Sequence, residues 1–341
     1  MEISILNTEF EPVAIVDVYT SIIWTKRYYK PGDFELYIPA NIDILPYLKQ
    51  DYYVKRDDDE TVMIIEKIEI QTDAENGDYF IITGRSLESI LNRRIVWEQT
   101  NLNGNVVDQV YKVLENNIGS SALSYRKLAN FICKTPKLNV SDTITMQATG
   151  DDLESLLTEI CTQYGLGWKI TLDENNNFVF EMYKGNNSNA YFSPEFDNLI
   201  TSDYSGDKSN YRNVAKVFGE GEGTARTSFV VGNTVGINRR ELYVDARDVS
   251  SNEGKITADD YKLLLNARGK EKLQEQVFVK SFDGEVEPSM TFKYREDYNL
   301  GDIVTVTNQY GITATPRIIE IIENWDDTGY KVVPTFEEWE V

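Results

Sequence analysis

Four groups of acids stand close enough along the chain to work together: Asp33 with Glu35, the run Asp57-Asp58-Asp59-Glu60, Asp151-Asp152, and Asp326-Asp327. A neutral and an ionised carboxyl flanking a bond is the arrangement that hydrolyses glycosides. A dense acidic loop also offers the oxygen ligands that Ca²⁺ takes. Other chemistries lack their parts. The chain has no histidine, which removes the commonest general base, the Ser-His-Asp and Cys-His arrangements and most zinc sites. Gly219 to Gly223 reads Gly-Glu-Gly-Glu-Gly, without the Lys-Ser/Thr ending of a phosphate loop. Cys133 and Cys161 are either one pair or two buried thiols, and the second fits better because free cysteine behaves as a small apolar residue.

The elements that carry these acids argue against catalysis. With 56 Asp and Glu in 341 residues, adjacent acids arise by chance. Asp33 belongs to the turn Pro31-Gly32-Asp33, and Glu35 alternates with Phe34 and Leu36, so it faces away from the core. The Asp57 to Glu60 run reads as a hairpin tip. The expectation is a chain with no catalytic residue, no metal and no cofactor.

Residues 1–96 read as strands, with a hairpin through Pro31-Gly32-Asp33 whose Phe34, Leu36 and Ile38 enter the core, and a short helix at 86–92. Helical spacing then appears at Val106, Val107, Val110, Val113 and Leu114, and again over 151–164. That second helix starts at Asp151 or Gly150 and closes at Gly165. Strands at 167–172 and 178–183 complete an α+β unit over 97–192. Further strands lead to a helix over 258–275, with Thr257 and Asp260 as a capping box and Leu263, Leu264, Ala267 and Leu273 as its apolar stripe. The segments Ser289–Tyr294 and 301–341 return to strands.

Two strand groups echo each other. Each has an opening Asp (Asp51, Asp302), a central Ile-Ile-Glu (Ile64-Ile65-Glu66, Ile318-Ile319-Glu320) and a Gly before the last strand. Both count 28 positions from the Asp to a Tyr of that strand, Tyr79 or Tyr330, with the central motif three out of step.

Net charge is −22, which disfavours stable binding of nucleic acid and lets DNA pass without sticking. No apolar run approaches a membrane span, and the first residues lack the pattern of a signal peptide, so synthesis and folding in a bacterial cytoplasm are expected.

The stretch Ile23–Pro39, IWTKRYYKPGDFELYIP, with 157–183 and 298–323 and the closing Gly-Tyr-Lys-Val-Val-Pro-Thr-Phe, resembles the siphophage Gp37-like tail proteins, relatives of the N-terminal part of the tail-associated lysin. The resemblance implies phage tail hub architecture: a mainly β, α+β chain with two similar small tube-like β-barrels and appended α+β units. It places the first barrel at 1–96, the α+β domain at 97–192, the second barrel at 193–246 and 297–341, and a helical insertion at 247–296. It further implies a homotrimeric pseudo-sixfold ring between the distal tail protein or tail tube above and a tip, spike or fibre protein below. The ring would sit at the virion tail tip, with DNA passing through. Longer members carry a cell-wall-degrading region, and none is expected in these residues. Trp24, Arg27, Tyr29 and Tyr37 are the candidate subunit contacts, since interfaces are rich in aromatics and Arg. The alternative is carbohydrate or receptor binding by Trp24, Trp97, Trp168, Trp325 and Trp339, which are spread along the chain. A carboxylate-based wall hydrolase comes last.

Overall fold

Alternation with a period of two governs the first 86 residues of the computed structural model, which describes all residues except 74–76, 135–137, 284–290, 338 and 341. It yields β1 (Ile3–Leu6), β2 (Pro12–Val16), β3 (Ser21–Arg27), β4 (Asp33–Pro39), β5 (Tyr53–Arg56), β6 (Val62–Asp73) and β7 (Gly77–Ser86). Strands β3 and β4 form the expected hairpin, and Phe34, Leu36 and Ile38 join Ile22 and Trp24 in its core. The expected turn between β6 and β7 includes 74–76, outside the described residues.

A 3-10 helix over Leu87–Arg93 leads into β8 (Thr100–Asn105), α1 (Val106–Asn117), β9 (Phe131–Cys133), β10 (Thr143–Ala148), α2 (Leu153–Tyr164), β11 (Gly167–Leu172) and β12 (Phe178–Tyr183). Asp152, rather than Asp151 or Gly150, caps α2 by accepting from the Ser155 N–H, while Gly165 ends it with φ +62°. Both cysteines are free thiols, and burial pushes the Cys161 thiol up, as expected of an inert apolar filler.

Next come β13 (Asn187–Phe192), β14 (Asp203–Asp207), β15 (Val214–Phe218), β16 (Ser228–Val231), β17 (Glu241–Asp245), α3 (Ala258–Gln274) and β18 (Val279–Asp283). The chain finishes with β19 (Ile303–Thr307), β20 (Thr313–Ala314), β21 (Ile318–Asp326), β22 (Gly329–Phe336) and β23 (Trp339–Glu340). The capping box of α3 forms, with the Asp260 N–H donating to Thr257 Oγ1. Its apolar stripe is Tyr261, Leu265 and Gly269, and Leu263 points to solvent. The line 261–265–269 wins because Gly269 admits the β15–β16 surface. A Cβ there would lie 2.5 Å from Val231 Cγ2 and 2.7 Å from Val217 Cγ2.

Strands β15, β16 and β17 pair only with one another, and α3 packs on them. A division at 246/247 therefore runs through a packed unit, and one at 192/193 parts β13 from the β19 strand it pairs with. In the expected strand at Ser289–Tyr294, positions 289–290 lie outside the described residues, and Tyr294 makes an isolated bridge to Tyr298.

The two echoing groups meet in one sheet, ordered β2-β1-β5-β6-β7-β4-β3-β21-β22, to which the first gives β5, β6 and β7 and the second β21 and β22, while β19 pairs with β13 and β20. Strand β21 pairs antiparallel with β3, from Glu320 opposite Arg27 to Trp325 opposite Ile22. The repetition extends to individual backbone bonds. In the first group the Asp51 N–H donates to Ile65 O (2.9 Å) and the Ile65 N–H to Tyr52 O (2.8 Å). In the second, the Gly301 N–H donates to Ile318 O and the Ile318 N–H to Asp302 O, both 2.8 Å. A β-bulge follows at once in both, at Glu66 and at Ile319. Chance meanders share strand order; they do not share the place of a bulge.

Candidate functional site

Where the two strand groups meet, the acidic run is drawn inward. Arg56 ends β5 with its guanidinium fully buried, 5.2 Å from the Trp24 ring centre and 4.2 Å from that of Trp325. It donates to Asp58 at 2.8 and 2.9 Å and to Glu323 of β21 at 3.3 Å. Asp59 accepts from Lys26 Nζ at 2.8 Å and from Arg295 at 2.6 Å. Glu323, also buried, receives Arg295 at 3.2 Å and the Tyr330 hydroxyl at 2.9 Å. Three cations face three carboxylates, which is how buried charge is tolerated.

Burial works against every charge in the cluster, and the partners overcome it. Asp59 is held below the usual carboxylate range by Lys26 and Arg295, and Asp58 by Arg56. Lys26 is held above its usual value by Tyr294, Asp59 and Glu323. The carboxylates of Asp58 and Asp59 are thus taken by cations, which leaves no Ca²⁺ loop there.

A second junction lies beside it. Tyr28 is completely buried, with its hydroxyl accepting from the Gly185 N–H at 3.1 Å and lying 3.3 Å from Gly165 O. Gly167 of β11 and Gly301 press on its ring so closely that a Cβ at either would overlap the ring edge. Tyr29 donates to Glu337 at 2.6 Å, and the Trp168 indole donates to Tyr29 O at 2.7 Å. Residues 27–29 therefore clamp β3, β11 and the last strand group together.

Within the single chain the four expected contacts are placed unequally. Trp24 is 0% exposed and Tyr29 8%, so both are interior to one chain and have no side-chain surface for a neighbour. Arg27 is committed to Asp33 (2.6 Å) and Glu320 (2.5 Å). Tyr37 remains half-buried on the outward face of β4. The other acids have local work: Asp151 accepts from the Thr149 N–H, Asp152 caps α2, and Asp326 accepts from the Thr328 N–H.

Between the junctions lies a cavity of about 390 Å³ lined in part by Asp59, Glu60, Glu88, Lys169 and Tyr294. Burial pushes the Glu88 carboxyl up, while its neighbour Asp59 is held down. Carboxyls shifted in opposite directions are what a glycosidase uses. Here both are closed off: Glu88 is 8% exposed, and the Asp59 side chain is 2% exposed with its carboxylate ion-paired. The pairing was invisible in sequence because Glu88, on the expected short helix, and Asp59 reach one cavity only through the fold.

One face of the sheet stays half-open across both strand groups. Ile81 and Thr83 of β7, Glu35 and Tyr37 of β4, Ile23 of β3, Ile322 and Asn324 of β21, and Val333 and Thr335 of β22 line it. Most of its cations are held, Arg27 by Asp33 and Glu320, Lys67 by Glu69, Arg85 by Glu66 and Glu154, while Lys331, opposite Asn324, stands exposed.

No curated protein sequence matches the chain. Among solved structures it resembles the 43 kDa tail protein of prophage MuSo2 from Shewanella oneidensis, with TM-score 0.61 and 15% identity over 99% of this chain and 98% of that one. It also resembles a tail protein from Neisseria meningitidis MC58 (TM-score 0.58, 15% identity, 98% and 96% covered). A third is prophage tail protein gp18 from Listeria monocytogenes (TM-score 0.57, 12% identity, 98% and 94% covered). These show a shared mainly β fold. A family model described as Siphovirus ReqiPepy6 Gp37-like protein matches residues 2–336. The chain therefore belongs to the Gp37-like family of phage tail proteins.

Proposed function

We propose that this chain is a tail hub: three copies form a ring that joins a sixfold tail tube, or a distal tail protein, to a threefold tip, spike or fibre protein. The observation that carries this reading is the repeated corner, the same backbone bonds and the same bulge at 51–66 and 301–319. A chain with two like units, taken three times, offers six near-equivalent positions. The half-open sheet face spans both units and is the natural channel wall. Most of its cations are paired with acids, so DNA phosphates find little to hold them. The role is structural rather than enzymatic, because the acids that could pair for catalysis are buried, ion-paired or engaged in turns and caps. Assembly takes place in the host cytoplasm, and the finished part sits at the virion tail tip.

Light scattering of the purified chain is expected to give three times the monomer mass, and particle images a ring with a central hole and sixfold outline. A monomer that persists at high concentration, with no ring in images of tails containing it, would overturn the reading.

Carbohydrate or receptor binding would rest on an exposed aromatic surface such as the one at Trp97. Trp97 and Tyr125 are both exposed, with ring centres 6.0 Å apart, and Arg126 lies over the Trp97 ring. The rings tilt at 48° and form no flat platform. Substituting Trp97→Ala is expected to leave ring assembly unchanged; loss of a measured glycan affinity on that change would promote this second reading.

A further inference from the structure

Charge is unevenly spread. Residues 208–247 hold seven Lys and Arg against four acids, within a chain of net −22. These residues build β15, β16 and β17, whose inner face is covered by α3. On the outer face Lys216 lies opposite Val230 on one side and Tyr243 on the other. All three are exposed, Tyr243 at 62%. Phe218 stands behind Tyr243, ring centres 5.2 Å apart, and Arg226 reaches the Tyr243 hydroxyl at 3.1 Å. An exposed Tyr backed by a half-buried Arg gives this face the residue types that anchor protein contacts.

We propose that this outer face docks against an acidic surface of a neighbouring copy of the chain. Complementarity of charge selects the occupant: all the acid excess of the protein lies outside 208–247. A basic face meeting a different, acidic face is a heterologous contact, the kind that closes into a ring. Nucleic acid fits less well. Arg226 and Arg247 are already held by Asp245, and Arg239 by Glu241, so the face carries alternating sign rather than a row of free cations. The inference rests on the trimeric reading above and adds to it which surface makes the contact.

The test compares the wild-type chain with Lys216→Glu/Tyr243→Ala and with the conservative Lys216→Arg/Tyr243→Phe, all checked for fold by circular dichroism. Mass is followed by light scattering across concentration at low and high salt. The expected result is that the first variant needs at least about tenfold more protein to assemble. The conservative variant assembles as wild type does, and salt weakens wild-type assembly. A trimeric wild type with an equally trimeric Glu/Ala variant overturns this inference and leaves the hub reading standing. A monomeric wild type overturns both. Retardation of duplex DNA by wild type, lost in the Glu/Ala variant, would give the face to nucleic acid and overturn it as well.

Discussion

Replacing Arg56 by Ala is expected to destabilise the protein by about 3–5 kcal/mol, the usual cost of removing one partner from a buried ion pair. The change takes one guanidinium from buried Glu323 and the ion pair from Asp58, and it empties the space between the Trp24 and Trp325 rings. Both indoles report directly, so a urea titration followed by tryptophan fluorescence measures the shift. The paired change Arg56→Met/Glu323→Leu removes the charge from both sides and is expected to recover much of the loss, because apolar replacements of a whole buried pair are often neutral. A single Arg56→Ala change costing less than about 1 kcal/mol would mean that water already enters the cluster and that it behaves as a surface network.

The second large effect is expected at Tyr28. Truncation to Ala removes a fully buried ring and should cost about 3–5 kcal/mol. Gly167→Ala alone should cost about 1–3 kcal/mol, since the new methyl has no room beside that ring. Combined, the two should cost less than their sum by about 0.5–3 kcal/mol, because the methyl then occupies space the ring has left. Strict additivity in this cycle would show that Tyr28 and Gly167 do not share one packed contact.

Local patterns were readable wherever a few neighbouring residues decide the outcome. The hairpin through Pro31-Gly32, the Asn-rich end of α1, the Gly165 stop and the Thr257–Asp260 cap all depend on residues within one turn of each other. The echo of the two strand groups was readable too, and its three-position offset has a structural basis. Its pairing was one residue out: the corner matches Asp51 to Gly301 and Ile65 to Ile318, where the sequence pattern matches Asp51 to Asp302 and Ile64 to Ile318. Contacts between distant parts were not readable. Asp58 and Asp59 look like a solvated tip in sequence, because the Asp59 partners Lys26 and Arg295 lie 33 and 236 positions away. Trp24 and Tyr29 carry the residue types of an interface, and what buries them is the chain's own last strands. The α3 stripe was read in part: Leu264 and Leu273 do pack against the sheet, but its centre at Tyr261, Leu265 and Gly269 was missed, since Gly269 contributes by being small and leaves no apolar mark.

Pairing of β3 with β21 links residue 22 to residue 325. On a ribosome that synthesises from the N-terminus, the edge of β3 therefore waits, with its N–H and C=O groups unpaired, until nearly the whole chain has emerged. Contacts of such sequence separation form slowly. They also act as a completeness check: a chain broken off before residue 323 leaves Arg56 without Glu323 and β3 without its neighbour. Truncated products would expose both a sticky strand and an unbalanced buried charge. They would be removed by proteolysis before they could be built into a particle, where one defective subunit spoils the whole.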